Sequence, residues 1–345
     1  MLASYRHGDR ASVAKYPLAT AAALPWQAAA DGAWCELVLP SCPAAHIIVP
    51  SLSTDLRDCA YQVTLRTADD RWTLQALPSL PAPRRRRSSS RSVSAPTRPS
   101  LRPTRERSPG TEVDSYDNLN PRSRKIVSTH IDCFHTEADL PASRLRFTLR
   151  QAAPPPRHLL AVSVRPLEMH PQTPKATRVV TPHPPAISQM QGPQAIQQRI
   201  CSPTALAMTL KAAEAGIDWL EVVEGCFDQR TQSYGCWPMA IRCAAGYGRL
   251  GAVEALPAWE PAIQVLRAGL PIVASIDFDA GELPGAPLSK TAGHLVTCYG
   301  VDGDAVLVND PAAGDAAGVP RRYDLEAFSR AWLRRRGAAY IMPAP

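Results

Sequence analysis

The chain has 345 residues, enough for two ordinary domains of roughly 150 each. It carries 38 Lys+Arg against 31 Asp+Glu, a net charge of +7, and its 45% hydrophobic fraction is ordinary for a globular protein. No run of about 18 apolar residues occurs, which excludes a transmembrane helix.

The positive charge is not spread over the chain. Residues 81–110 hold nine Arg and one Glu, a net +8, so the remaining 315 residues together carry −1. The basicity therefore belongs to one Arg/Ser/Pro-rich segment, not to a folded surface. Clustered arginines attract phosphate in a salt-dependent way. A solvated linker accounts for them more simply, and nucleic-acid binding through 81–110 is not expected.

The nine cysteines are Cys35, Cys42, Cys59, Cys133, Cys201, Cys226, Cys236, Cys243 and Cys298. Their number is odd and no CxxC pair occurs, which argues against a disulfide framework. Cys133 and His135 are too isolated for a zinc site, which needs about four ligands. Buried thiols in a reducing compartment are the simpler reading. At the N-terminus, Arg6, Arg10 and Lys15 precede a weakly apolar stretch at 18–24. That stretch is short for a signal peptide, so a cytoplasmic location is preferred to export.

In chain order, residues 1–25 read as a tail and 26–165 as a small all-β, sandwich-like domain. The strand signals are CELVLP, HIIVP, YQVTLRT, RLRFTLR and HLLAVSV: β-branched or alternating runs bounded by turn residues. A disordered basic insert at 81–111 interrupts this domain, since it has almost nothing apolar to bury. A Pro-rich linker follows at 166–186.

From residue 187 the pattern becomes helical. A helix is predicted at 203–215, with Ser202 as N-cap, Pro203 at its first position and Gly216 closing it. Further helices are predicted at 239–247 and 260–268, then a buried strand at 270–278. Strands at 294–301 and 304–310 form a hairpin around Asp302-Gly303. A last helix follows Asp324, with Leu325, Phe328 and Trp332 on one face. Helices first and strands afterwards indicate an α+β fold for 187–345.

Cys201 stands immediately before the first of these helices. A helix N-terminus favours thiolate over thiol, and its unpaired N–H groups can stabilise an oxyanion. His294 is the only histidine downstream of Cys201, which makes it the candidate base. A three-residue hairpin loop at 301–303 gives a pairing sum of 604, so that His294 faces Asp310. A two-residue loop gives 605 and puts Asp310 on the opposite face. The first register lets the carboxylate fix the imidazole tautomer.

These residues resemble the C39-like cysteine peptidases of bacteria, a branch of the papain-like fold. Three stretches carry the likeness: 188–208 (SQM and CSPTALAM), 268–296 (AGLPIVASIDFDAGELPGAPLSKTAGHLV) and 308–332 (VNDPAAG and RRYDLEAFSRAW). GCWPMAIRCAAGYG at 235–248 is similar to the family's short Trp-Pro motif. The resemblance implies Cys201 as nucleophile, His294 as general base, Asp310 as the residue orienting it and Gln189 as oxyanion donor. Gln194, Gln197 and Gln198 lie nearer Cys201, and the last two could compete for that role. Many C39-like domains have Cys-Gly-Pro where this chain has Cys-Ser-Pro.

The implied function is cysteine-type peptide or amide hydrolysis on a peptide or protein substrate, without metal or organic cofactor. A silent peptide-docking module and an acyltransferase using the same residues are the alternatives. The substrate is expected to be selected by loops around Trp237 and 281–290.

Overall fold

The computed structural model describes residues 13–19, 24–30, 32–54, 56, 59–74, 77, 126–151, 153–175, 177–214 and 216–342. The basic insert, with the expectation that it is disordered, lies outside the described residues.

Among its described residues the first half has ten strands: β1 (Val13–Ala19), β2 (Gln27–Ala29), β3 (Gly32–Leu39), β4 (His46–Thr54), β5 (Tyr61–Arg66), β6 (Arg71–Thr73), β7 (Val127–Thr129), β8 (Phe134–Thr136), β9 (Ser143–Leu149) and β10 (His158–Pro166). They form two five-stranded sheets, ordered β1-β10-β4-β8-β7 and β2-β3-β9-β5-β6. Residues 13–19, assigned to the tail on sequence, pair with β10 as an edge strand.

Strands β3 and β9 alternate as a half-buried sheet requires. Cys35, Leu37, Leu145 and Phe147 point inward, while Glu36 bridges Arg144 and Arg146 on the outer face. Strands β4 and β10 differ because both of their faces are covered. Ile48, Leu52, Leu160 and Val162 join the core shared with β3 and β9. Ile47 and Val49 point the other way, into a second core built from the C-terminal half. The unbroken apolar run HIIV is the sequence mark of this two-sided burial.

The second half contains α1 (Cys201–Ala213), α2 (Trp219–Gly225), α3 (Trp237–Gly246), α4 (Glu260–Arg267) and α5 (Leu325–Leu333). Its sheet runs β12-β17-β13-β14-β15-β16. These strands are β12 (Ala252–Ala255), β13 (Ile272–Phe278), β14 (Thr291–Gly303), β15 (Ala305–Asn309), β16 (Pro320–Asp324) and β17 (Ala338–Ile341). A further strand, β11 (Thr177–Val180), arises within the expected linker and pairs with β14. Helices α1 and α3 share one core with one face of this sheet, and α4 and α5 share another with the opposite face.

The two halves are joined by hydrogen bonds between side chains and backbone as well as by apolar packing. Ser51 and Ser53 Oγ accept from the backbone N–H groups of Val253 and Gly251, at 3.1 and 3.2 Å. The fully buried Arg165 donates to the carbonyls of Pro166, Leu256 and Leu333, at 2.9, 2.8 and 2.7 Å. Gly337, with φ +58°, passes so close to this guanidinium that a Cβ there would lie 1.9 Å from Nη1.

Three local expectations are corrected. Helix α1 begins at Cys201, so Ser202 is not its cap. Ser202 lies inside the first turn, and its hydroxyl meets Tyr340 OH at 2.8 Å. The helix ends at Ala213, before Gly216. The β14–β15 turn is also different. Asp302 pairs with Ala305, Val301 with Val306 and Gly300 with Leu307, a sum of 607 around a two-residue turn at Gly303-Asp304. The ladder then slips, and Cys298 pairs with Val308 and Thr297 with Asn309, a sum of 606. Tyr299 is the extra residue of this bulge.

Candidate active site

Cys201 opens α1, whose next nine residues are all buried, and Thr297 Oγ1 of β14 donates to the Ala205 carbonyl at 2.8 Å. This fixes the start of α1 against the start of β14, where His294 lies 3% exposed. The slip at Tyr299 places Asp310 on the His294 side of the sheet. His294 Nε2 meets Asp310 Oδ1 at 2.7 Å. The other imidazole nitrogen, Nδ1, is left for the Cys201 thiol, which lies near enough for the two groups to shift each other's ionisation.

The electrostatics separate Cys201 from the other cysteines. All nine are free thiols, and Cys201 is the one that is not fully buried. Burial pushes Cys35, Cys236 and Cys298 up to about 12, and Cys42 and Cys59 up to about 11. Burial also opposes the Cys201 thiolate. There the His294 hydrogen bond and charge win, aided by the backbone N–H groups of Leu295 and Ser202, and the thiol is pushed down. Burial likewise opposes the His294 cation, but the Asp310 charge and hydrogen bond prevail and raise it to about 10. Burial disfavours ionised Asp310 too, yet His294, the Ala312 N–H and Tyr323 hold its carboxyl below the usual range.

A single loop, 310–319, ties Asp310 to Gln189. The Gln189 backbone N–H donates to the Pro311 carbonyl at 2.9 Å. Ser188 Oγ donates to the Ala313 carbonyl at 2.5 Å. Gln189 is buried, and its Nε2 donates to the Gln197 carbonyl at 2.8 Å. One of the two Nε2 protons is thus used for anchoring, and one remains. Of the possible competitors, Gln194 and Gln198 are exposed, and Gln197 serves through its backbone as the anchor.

Three residues emerge only from the structure. Tyr323 OH donates to Asp310 Oδ2 at 2.8 Å. Tyr340 OH partners Ser202. Asp132, from the turn between β7 and β8, accepts the N–H of Trp237, the first residue of α3, at 3.2 Å. A helix start without its own side-chain cap is thereby satisfied from the N-terminal half. Tyr323 stands inside the RRYDLEAF motif, but its role depends on β15–β16 pairing that no local pattern specifies.

The 281–290 segment is clamped from beneath. Glu282 forms a bidentate ion pair with Arg334, at 2.7 and 2.8 Å. Among the described residues, no group of three or more His, Cys, Asp or Glu is placed to hold a metal ion. Among them, too, no helix is long and apolar enough to cross a membrane.

Comparison with known proteins gives one family. A solved structure from Bacillus anthracis described as a C39-like peptidase is 18% identical, with a TM-score of 0.39, over 49% of this chain and 98% of that one. No curated protein matches the chain. Residues 183–340 match the model of the Peptidase_C39 like family. They span the helix bearing Cys201, the strand bearing His294 and the loop bearing Asp310, so the likeness to that family covers the C-terminal part of the chain.

Proposed function

We propose that this protein is a cysteine-type peptidase acting through Cys201, His294 and Asp310, with Gln189 as oxyanion donor. One observation carries the reading. The single cysteine with partial exposure is also the one whose thiol is pushed down, by a histidine that a buried aspartate holds at 2.7 Å.

In this reading the Cys201 thiolate attacks the carbonyl carbon of an amide. The oxyanion accepts hydrogen bonds from the Cys201 backbone N–H and the remaining Gln189 Nε2 proton. Protonated His294 gives its proton to the departing amine, leaving a thioester. Water then attacks that thioester while His294 takes its proton. A carboxylate leaves and the thiolate returns. Asp310 stays ionised throughout and keeps the imidazole ring in one orientation.

The preceding ten strands form a sandwich-like domain whose role is structural support of this site. Asp132 at the start of α3 and Arg165 behind the sheet are the contacts that support this reading. The division into 26–165, a linker at 166–186 and 187–345 describes chain organisation, while the packing joins the two halves.

The test is a peptide library incubated with wild type and with Cys201→Ala, read by mass spectrometry. Cleavage products present with wild type and absent with the variant support the reading. Equal cleavage by both ends it.

A further inference from the structure

We infer that Tyr323 is a positioning residue of this site, acting on His294 through Asp310. The inference rests on the triad reading above and names a fourth member for it.

The Asp310 carboxylate has two oxygens with different duties. Oδ1 takes His294 Nε2 at 2.7 Å and the Ala312 N–H at 3.0 Å. Oδ2 takes the hydroxyl of Tyr323 at 2.8 Å. Asp310 is 1% exposed and Tyr323 1% exposed, so water is a poor substitute for that hydroxyl. Rotation of the carboxyl group about its Cβ–Cγ bond would move Oδ1 off the imidazole. Anchoring Oδ2 prevents that rotation.

Tyr323 is itself held rigidly. It pairs with Val306 across β15 and β16, and its ring stacks on Phe328 of α5, with centroids 6.0 Å apart and planes 14° apart. Asp324, the next residue, caps α5 by accepting the Ala327 N–H at 2.7 Å. The phenol stays protonated, because burial and the adjacent Asp310 charge both oppose its ionisation. It is therefore a permanent donor. Packing alone would need only the ring, and a phenylalanine would provide it; the hydroxyl is what the carboxylate uses.

Removing that hydroxyl leaves a buried carboxylate oxygen without a donor. The group then either takes up a proton or turns away. Both outcomes weaken the support of protonated His294 and so of the Cys201 thiolate.

The experiment compares wild type, Tyr323→Phe and Asp310→Asn. Two readouts need no substrate: the rate of Cys201 alkylation by iodoacetamide from pH 5 to 10, and the downfield proton resonance of the His294 ring N–H. Thermal unfolding is followed alongside, so that a misfolded variant is recognised. For Tyr323→Phe we expect about tenfold slower alkylation at pH 6 and a shifted or broadened ring resonance. With a cleavable peptide, kcat falls while KM is unchanged. If Asp310→Asn alters both readouts and Tyr323→Phe alters neither, Tyr323 is only a packing residue and the inference fails. If Asp310→Asn also leaves both unchanged, the triad reading itself fails.

Discussion

His294 and Asp310 share one side of the sheet because the ladder between their strands slips by one residue at Tyr299. With the turn's own sum of 607 continued, Asp310 would face residue 297 and lie opposite His294. The slip to 606 brings it back, and the two side chains meet at 2.7 Å. The extra residue has a partner of its own. The Tyr299 carbonyl accepts the Thr181 N–H at 2.9 Å, at the end of β11. Beside it, Gly300 lets β11 approach, since a Cβ there would lie 2.9 Å from the Val179 carbonyl oxygen.

In the proposed mechanism both proton transfers pass through His294, which Asp310 holds at 2.7 Å. His294→Ala is expected to lower kcat by about 10²–10⁴-fold, the usual worth of a positioned acid–base group. Asp310→Asn keeps the shape but not the charge, and is expected to cost about 10²-fold or more. Steady-state kinetics on a cleaved peptide measure both.

The remaining Gln189 amide proton should matter only once charge develops on the substrate oxygen. Gln189→Ala is expected to lower kcat by about 10²–10³-fold, with KM changed little. A matching rise in KM would mean that Gln189 binds substrate and does not stabilise the oxyanion.

The pH profile follows from the directions of the two shifts. Cys201 is pushed down and His294 raised to about 10, so the thiolate–imidazolium pair exists between them. Activity is expected to rise on the acid side, well below the ordinary thiol range, as the pair forms. It falls as pH passes through the raised His294 value and the imidazolium is lost. These limbs belong to the pair and not to either residue alone. Measuring kcat/KM from pH 4 to 11 locates both limbs.

Arg165 is expected to hold the two halves together. Arg165→Met removes three donors and leaves the buried Leu256 and Leu333 carbonyls unpaired, at about 1–3 kcal/mol each. Gly337→Ala should act at the same point, because its Cβ would overlap the guanidinium. Both variants are expected to lower the midpoint of one shared thermal transition, since the halves share a core. Two separate transitions would show that they fold independently.

Much of the C-terminal half was legible because its signals are local. Buried runs such as 272–278 and the amphipathic helix after Asp324 carry their own pattern. Cys201 and His294 stand out as candidates because a thiol at a helix start and a histidine opening a strand have known chemical uses, and Asp310 is the residue that meets His294. The register joining the last two was misjudged: a bulge one residue long leaves no mark that distinguishes Tyr299 from its neighbours. Ser202 was misread for a similar reason. Its local preference for capping is overridden by Tyr340, 138 residues away. Tyr323 and Asp132 depend on pairing and domain contact, which no single segment encodes.

The central claim is that Cys201 is activated by His294, and its most direct test is alkylation. Wild type and His294→Ala are treated briefly with iodoacetamide at pH 6, and every cysteine is mapped by mass spectrometry. Cys201 labelling in wild type, with the buried thiols spared and the variant at least tenfold slower, is the predicted result. Cys201 that reacts only above about pH 8 and equally in both proteins, as a free thiol of pKa about 8.5 would, contradicts it.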